Sequence, residues 1–261
     1  MIGFARSDYP FKYLLFGLVT LWGCHRGNDV DLTIACASNM QYAIVEITEA
    51  FQNSTGISCN VITNSSGKLT ALIREGAPYD VFISADLLYP LELQESGHVI
   101  GSPIVFAYGS LVWWSMDTSY FELPISPDRM NSIAIANPKT APYGRAAIEA
   151  LEKTEWLDEL EDKLTFGESI AQTAQFIRSG ASDVGIIAKS LVLSETLNGV
   201  GEWEDLPSDS YEPIPHAIVS TGNDKTKVSD AKQFSDFLIS DKGQEILRKY
   251  GFMIPEQGIT E

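Results

Sequence analysis

The chain has 261 residues, of which 44% are hydrophobic and 20% charged, and its formal net charge at pH 7 is -17. This composition is that of a globular protein with one large domain or two smaller ones, and the chain contains no low-complexity tract or internal repeat. The negative charge argues against a nucleic-acid partner, because a phosphate backbone requires a basic protein face.

Residues 1–23 have the pattern of a signal peptide. Basic residues precede the apolar run from Tyr13 to Gly23, which is too short to span a bilayer. The segment LWGC, residues 21–24, resembles the lipoprotein box of bacteria, whose cysteine is lipidated. In this chain that cysteine is Cys24. The alternative is an ordinary signal peptide cleaved nearby. Both interpretations place the protein in the periplasm or at the cell surface, and the first attaches it to the membrane by a lipid anchor only.

Strands and helices alternate after this segment. The apolar runs LTIACA (32–37), ISCNVIT (57–63) and DVFIS (80–84) predict three strands, and helical spacing of apolar residues follows the first two. A βαβαβ order of this kind predicts a parallel sheet with right-handed crossovers.

The middle of the chain indicates a second lobe. The apolar run from Pro103 to Met116 is too long for one ordinary strand, and a second set of strands and helices begins near Ser132. PIPHAIVST, residues 213–221, is a second candidate crossing, and helical spacing continues to Tyr250. We therefore predict an α/β fold with two lobes joined by two crossing segments. The predicted boundaries are 24–108 with 217–261 for the first lobe and 109–216 for the second, with the ligand in the cleft at the carboxyl ends of the strands.

Two cysteines remain beyond Cys24. If Ser38 and Ser66 end neighbouring parallel strands, Cys36 and Cys59 are offset by about five residues, or ~16 Å. A disulfide needs Cα atoms within ~7 Å. We therefore predict two buried free thiols.

Catalytic patterns are absent from the sequence. The histidines at 25, 98 and 216 lie in no metal-binding spacing, and there is no G-x-S-x-G elbow. One enzymatic hypothesis stays open, a hydrolase that uses Ser38 or Ser66 with His216.

Ser38 and Ser66 each follow a predicted strand and precede a predicted helix. A helix start presents unpaired N–H donors and a partial positive charge, so it can hold an anion without a charged side chain. A single serine at such a position is usually an N-cap, but two on adjacent strands favour an anion site. The second lobe repeats the arrangement at Tyr143, after Pro142, and at Ile170.

Four segments carry a family resemblance. ACASNMQYAIVEITEAF, NSSGKLTALIREGAPYDVFISAD, IAIANPKTAPYGRAAIEAL and ILRKYGF resemble the periplasmic molybdate-binding proteins of ABC importers, in the same order along the chain. The resemblance implies the type II fold of periplasmic binding proteins. It also implies a binding protein that is not an enzyme, needs no cofactor and passes molybdate or tungstate to a permease in the inner membrane. We expect a monomer.

The resemblance also assigns the site by position. The oxyanion would be bound by the hydroxyls of Ser38 and Ser66 and by the main-chain N–H groups of Tyr143 and Ile170, with no bare metal cation. The family's tyrosine falls on Ala188, so its hydroxyl is missing. The Tyr143 hydroxyl, Lys189 or a water would have to replace it. Alternatives are another oxyanion, sulfate or phosphate, and a sensory module of the same fold.

Overall fold

The computed structural model describes residues 3, 30–122, 124–222 and 225–255. The predicted signal peptide (apart from Gly3), the candidate lipidation site Cys24 and the last six residues lie outside this part of the chain. Within it, none of the helices combines the length and the apolar character that a membrane span requires.

Five strands form the sheet of the first lobe. They are β1 (Leu32–Ala37), β2 (Cys59–Asn64), β3 (Val81–Ser84), β4 (Ile100–Gly109) and β10 (Ile214–Ser220). Their order is β2-β1-β3-β10-β4. The first three strands are parallel, and β10 runs antiparallel between β3 and β4. The sheet therefore contains a strand that the chain supplies only after it has built the second lobe.

Helices cover both faces of this sheet. They are α1 (Ala43–Thr55), α2 (Ser66–Arg74), α3 (Leu88–Glu95), α8 (Lys225–Ile239) and α9 (Asp241–Lys249). One core lies under α1, α8 and α9 and includes the edge-to-face pair Phe51 and Phe234, and a smaller core lies under α2 and α3. Because both faces are covered, β1 and β3 are apolar in nearly every position.

The second lobe repeats this design. Its strands are β5 (Leu111–Ser115), β6 (Ile133–Ala136), β7 (Leu164–Gly167), β8 (Val184–Ala188) and β9 (Glu202–Asp205), in the order β7-β6-β8-β5-β9. Its helices are α4 (Pro142–Lys153), α5 (Leu157–Leu160), α6 (Ile170–Arg178) and α7 (Lys189–Val192). The parallel strands β6, β7 and β8 end at the edge that faces the first lobe, which brings the starts of α4 and α6 to the cleft. The predicted fold class, two α/β lobes of the periplasmic binding protein type, is confirmed.

The chain passes between the lobes at two places. Strand β4 ends at Gly109 and β5 begins at Leu111, so the first crossing is centred on Ser110. The return lies between β9 and β10. The predicted boundary at residues 216 and 217 falls inside β10, which begins at Ile214 because that residue already pairs with Gly109.

The two cysteines are free. In the parallel register Cys59 lies beside Leu32, and Cys36 lies beside Thr63. The thiols are thus four residues apart along the strands, about 13 Å, which is too far for a disulfide. The prediction of two free thiols is confirmed, but only Cys36 is buried. Cys59 is half-buried because β2 is an edge strand.

Candidate anion-binding site

A small cavity lies between the lobes, where α2, α4 and α6 begin. Inside it, the centre of a water molecule can occupy a volume of ≈ 10 Å³. It is lined by Ala37, Ser38, Asn39, Ser65, Ser66, Ala85, Ala141, Pro142, Tyr143 and Ile170. None of these side chains carries a charge. The structure therefore brings together four of the residues that the sequence predicted, two from each lobe.

The first lobe contributes two serines from adjacent parallel strands. Ser38 begins a 3-10 turn directly after β1, and Ser66 is the first residue of α2 after β2. Both are buried. The Ser66 hydroxyl oxygen accepts a hydrogen bond from the N–H of Ala85 at 3.0 Å. Because that bond uses a lone pair, the hydroxyl proton of Ser66 stays available for an acceptor in the cavity.

The second lobe contributes main-chain donors at two helix starts. Pro142 is the first residue of α4, and it has no N–H to present. The next N–H, that of Tyr143, has no acceptor among the described residues. At α6 the Ser169 hydroxyl accepts from Gln172 N–H at 3.3 Å, and the Gln172 side chain accepts from Glu168 N–H at 2.7 Å. These reciprocal caps fix the first turn and leave the Ile170 N–H as an unpaired donor within the described structure.

Charged side chains lie at the rim of the cavity, where they join the lobes. Lys68 of α2 forms an ion pair with Glu168, and Arg145 of α4 forms one with Asp86. Burial raises the pKa of Asp86, while the Arg145 guanidinium partly opposes that rise. The cavity is thus lined by neutral donors and closed by paired charges.

Two polar lining residues were missed by the sequence analysis. Ser65 has a buried hydroxyl with no partner in the described part of the chain. Asn39 is buried, and its amide Nδ2 lies 3.3 Å from the Tyr143 hydroxyl and 2.7 Å from His216 Nε2. The only sequence signal for either residue is its position beside a predicted serine.

Ala188 does not line the cavity. It is fully buried in the core of the second lobe and pairs with Leu111 in the sheet. Lys189, a candidate replacement for the missing tyrosine, is ion-paired with Asp205 at 2.7 Å. The Tyr143 hydroxyl, another candidate, is the atom contacted by Asn39.

His216 lies below the cavity on β10. It is fully buried, and burial lowers its pKa to about 4. Its Nδ1 lies 3.1 Å from the main-chain oxygen of Ile214, and its Nε2 faces Asn39. Neither ring nitrogen contacts a serine hydroxyl, so the arrangement required by the hydrolase hypothesis is not formed.

A larger cavity of ≈ 630 Å³ lies at the crossing segments, beside Ser110 and Tyr211. It is lined by Asp205 and Lys189, which form an ion pair with each other. A dianion is better matched by the small cavity, since there the donors converge and no carboxylate is present.

Comparison with known proteins supports this assignment of the fold. Residues 32–253 match the model of the family described as bacterial extracellular solute-binding protein. The chain is 36% identical over 228 residues to the molybdate-binding protein ModA of Rhodobacter capsulatus. This alignment covers 85% of the chain and 88% of the relative. It is 34% identical over 229 residues to ModA of Azotobacter vinelandii, in an alignment that covers 85% of the chain and 89% of that relative.

A solved structure is also similar. The periplasmic molybdate-binding protein of Azotobacter vinelandii superimposes with a TM-score of 0.79 and 30% identity, covering 86% of this chain and all of the other. These comparisons confirm the resemblance to molybdate-binding proteins. The chain belongs to the bacterial extracellular solute-binding protein family.

Proposed function

We propose that this protein is the solute-binding component of an ABC importer and that it binds molybdate or tungstate between its lobes. The observation that carries the proposal is one cavity between the lobes that is lined by uncharged residues from both of them, among them Ser38, Ser66, Tyr143 and Ile170. We assign the hydroxyls of the two serines and the N–H groups of Tyr143 and Ile170 as the donors to the oxyanion. Similarity to proteins named for molybdate binding supports the choice of ligand.

Neutral donors suit a fully deprotonated dianion. Hydrogen bonds to a charged acceptor are each worth about 1.5–3 kcal/mol, and helix starts add a favourable field. An Arg or Lys in the cavity would add charge, but it would also bind many other anions. In this site the lobes must close before the donors of α2, α4 and α6 can reach the same ion.

Calorimetry would test the proposal most directly. The chain from residue 25 onward, which contains both lobes, would be titrated with molybdate, tungstate, sulfate and phosphate in turn. We expect micromolar or tighter binding of molybdate and tungstate and much weaker binding of the others. Heat from sulfate alone would reassign the ligand within the same site. No heat from any of these oxyanions would refute the proposal.

We further propose that the protein works in the periplasm as a monomer, anchored through lipid on Cys24 and delivering its ligand to a membrane permease. The family description as extracellular supports export. Metabolic labelling with palmitate tests the anchor: label should appear in the natural chain and vanish in Cys24→Ser. Label that persists in the variant would contradict lipidation at this residue.

We also propose that the site binds without catalysis. His216 would be the general base of a hydrolase, and both of its nitrogens are directed to other groups. A sensory module of the same fold has no supporting observation in the described residues.

A further inference from the structure

A buried polar network connects the two lobes and one of the crossing strands just below the cavity. Asn39 follows β1 in the first lobe, and Tyr143 begins α4 in the second lobe. His216 lies on β10, two residues after that strand begins. All three are buried, and the only side-chain hydrogen bonds between them run through the Asn39 amide. The proposed function assigns no role to His216.

The orientation of the Asn39 amide follows from simple donor and acceptor rules. The main-chain oxygen of Ile214 can only accept, so His216 Nδ1 must carry a proton to bond it. In a neutral ring Nε2 is then an acceptor, and only the Nδ2 group of Asn39 can face it at 2.7 Å. The other proton of Nδ2 reaches the Tyr143 hydroxyl. A neutral His216 therefore forbids the flipped amide, which would bring two acceptors together.

The arrangement has a cost that His216 offsets. Asn39 Oδ1 is buried and has no partner in the described part of the chain. An unpaired buried acceptor favours rotation of the amide or opening of the cleft. The bond to Nε2 opposes both. A second contact between the lobes reaches the same residue, because the Ser190 hydroxyl donates to the main-chain oxygen of Asn39 at 2.8 Å.

Gly109, at the start of the first crossing between the lobes, lies directly against Tyr143 and His216. A side chain at Gly109 would lie 2.0 Å from the Tyr143 hydroxyl and 2.8 Å from the His216 ring. Tyr143 can therefore reach this position only because the crossing residue has no side chain. The register of β10 against β4 shifts between His216 and Ala217, at the point where the ring enters the network.

We propose that His216 is a positioning residue for ligand binding: as a neutral acceptor it holds the Asn39 amide, which in turn holds Tyr143 of the second lobe in the closed arrangement. This inference rests on the proposed function, because that proposal assigns the N–H of the held residue, Tyr143, to the ligand. His216 touches no ligand itself. It links the closing of the cleft to the crossing strand β10.

The surroundings of the ring make this link sensitive to pH. The ring packs against Phe106 of β4, Phe252 after α9 and Tyr143 of α4. Of these groups only Tyr143 titrates, and burial raises its pKa far above neutrality. No carboxylate among these neighbours favours a protonated His216, and burial holds its pKa near 4. Protonation would turn Nε2 into a donor and break its bond to Asn39.

Two substitutions at His216 distinguish the effect of the hydrogen-bond acceptor Nε2 from the effect of the packing of the ring. His216→Phe keeps an aromatic ring among Phe106 and Phe252 but removes the acceptor, whereas His216→Gln keeps an acceptor near the place of Nε2. Molybdate affinity of the chain from residue 25 would be measured by calorimetry from pH 7.5 to 4. We expect His216→Phe to bind about 10-fold more weakly than the natural protein at pH 7.5 and His216→Gln to bind nearly as well.

The pH profile is the second measurement. Affinity of the natural protein should fall more steeply towards pH 4 than that of either variant, since the variants have no imidazole to protonate. Protonation of molybdate is common to all three proteins. Equal affinities at pH 7.5, or equal losses in Phe and Gln variants, would overturn the proposal. If His216→Phe does not fold, Tyr143→Phe serves as the second variant, because it removes the hydroxyl to which Asn39 Nδ2 donates. We expect it to bind molybdate several-fold more weakly. An unchanged affinity in this variant would refute the proposal.

Small-angle scattering without ligand distinguishes failure of this inference from failure of the proposed function. The inference predicts a larger radius of gyration for His216→Phe than for His216→Gln, whether or not molybdate is the ligand. Identical radii in the absence of ligand would count against the network even if molybdate binds. Absence of oxyanion binding with different radii would refute only the proposed function.

Discussion

The main-chain N–H of Gly67 donates a hydrogen bond across the cleft to the main-chain oxygen of Thr140, at 2.9 Å. This contact lies in the first turn of α2, directly after Ser66. A side chain at Gly67 would lie 2.9 Å from that oxygen and 2.6 Å from the Tyr89 hydroxyl. The two lobes therefore approach each other here backbone to backbone.

Gly67→Ala should impair closure more than folding. Its main-chain clash partner belongs to the other lobe, and the first lobe can keep its structure by staying open. We expect molybdate affinity to fall at least about 10-fold with little change in the urea midpoint of unfolding. Gly185→Ala is the matched control, because its clash partners, Ile177 and the oxygen of Ala134, lie within the second lobe. That variant should lose stability, and the prediction fails if the two variants behave alike.

Ser66→Ala should weaken oxyanion binding. The substitution removes a hydroxyl donor, worth about 1–3 kcal/mol, and also the acceptor for the Ala85 N–H. Calorimetry measures the loss in affinity. Ser96→Ala provides a control, since among the described residues the exposed Ser96 hydroxyl bonds to the end of α3 and to the His98 ring, away from the cavity. An affinity unchanged in Ser66→Ala would exclude this residue from the site.

Ala188→Tyr should not restore the family's tyrosine ligand. The alanine is fully buried and lies outside the cavity lining. A phenol ring there must displace core side chains, which typically costs 1–3 kcal/mol or more. We expect a lower free energy of unfolding in urea and no gain in molybdate affinity. Tighter binding by this variant would show that the position reaches the ligand.

The ion pair between Asp86 and Arg145 should stabilise the closed form. Asp86 is held by the Ser84 hydroxyl and the Tyr89 N–H, so it presents its carboxylate to the opposite lobe without further ordering. Asp86→Asn should weaken molybdate binding a few-fold and reduce its dependence on salt concentration. Asp236→Asn, which breaks an exposed pair within α8, should leave affinity unchanged. A salt dependence identical in both variants would contradict this role.

His216 should make stability fall in mild acid. Its folded-state pKa, about 4, is below the ordinary 6.5, so the unfolded chain takes up a proton first as the pH falls. The free energy of unfolding should therefore drop between pH 6.5 and 4, by about 3 kcal/mol at most. Urea unfolding at several pH values should show a smaller drop in His216→Phe. His98→Gln, at a half-buried histidine whose ring contacts Ser96, retains His216 and should keep the drop that His216 causes.

The sequence was sufficient to predict the parts of the site that depend on chain direction. Parallel strands β1 and β2 end at one edge of the sheet, so a serine after each strand must lie near the other. Helix starts after β6 and β7 follow the same rule. Main-chain donors at those starts need no particular side chain, which is why residues as different as Tyr143 and Ile170 could be located.

Contacts that depend on side-chain direction were not predictable in the same way. The bond between Asn39 and His216 joins residues 177 positions apart, and no local pattern marks it. Ala188 was assigned by position from the family resemblance, and its side chain lies in the core of the second lobe, outside the cavity lining. All five residues of β8 are buried because its sheet is covered on both faces, so alternation of apolar residues gives no indication of which side chains face the cleft.

The position of β10 between β3 and β4 has a consequence for the order of assembly. Residues 111–205 form the second sheet as one continuous segment, whereas the first sheet lacks an inner strand until residues 214–220 are in place. Pairings between distant segments form slowly because a long loop must close first. During refolding, pulsed hydrogen exchange should therefore protect the amides of β5, β6 and β8 before those of β3 and β4, and the lobe that contains β10 should mature last.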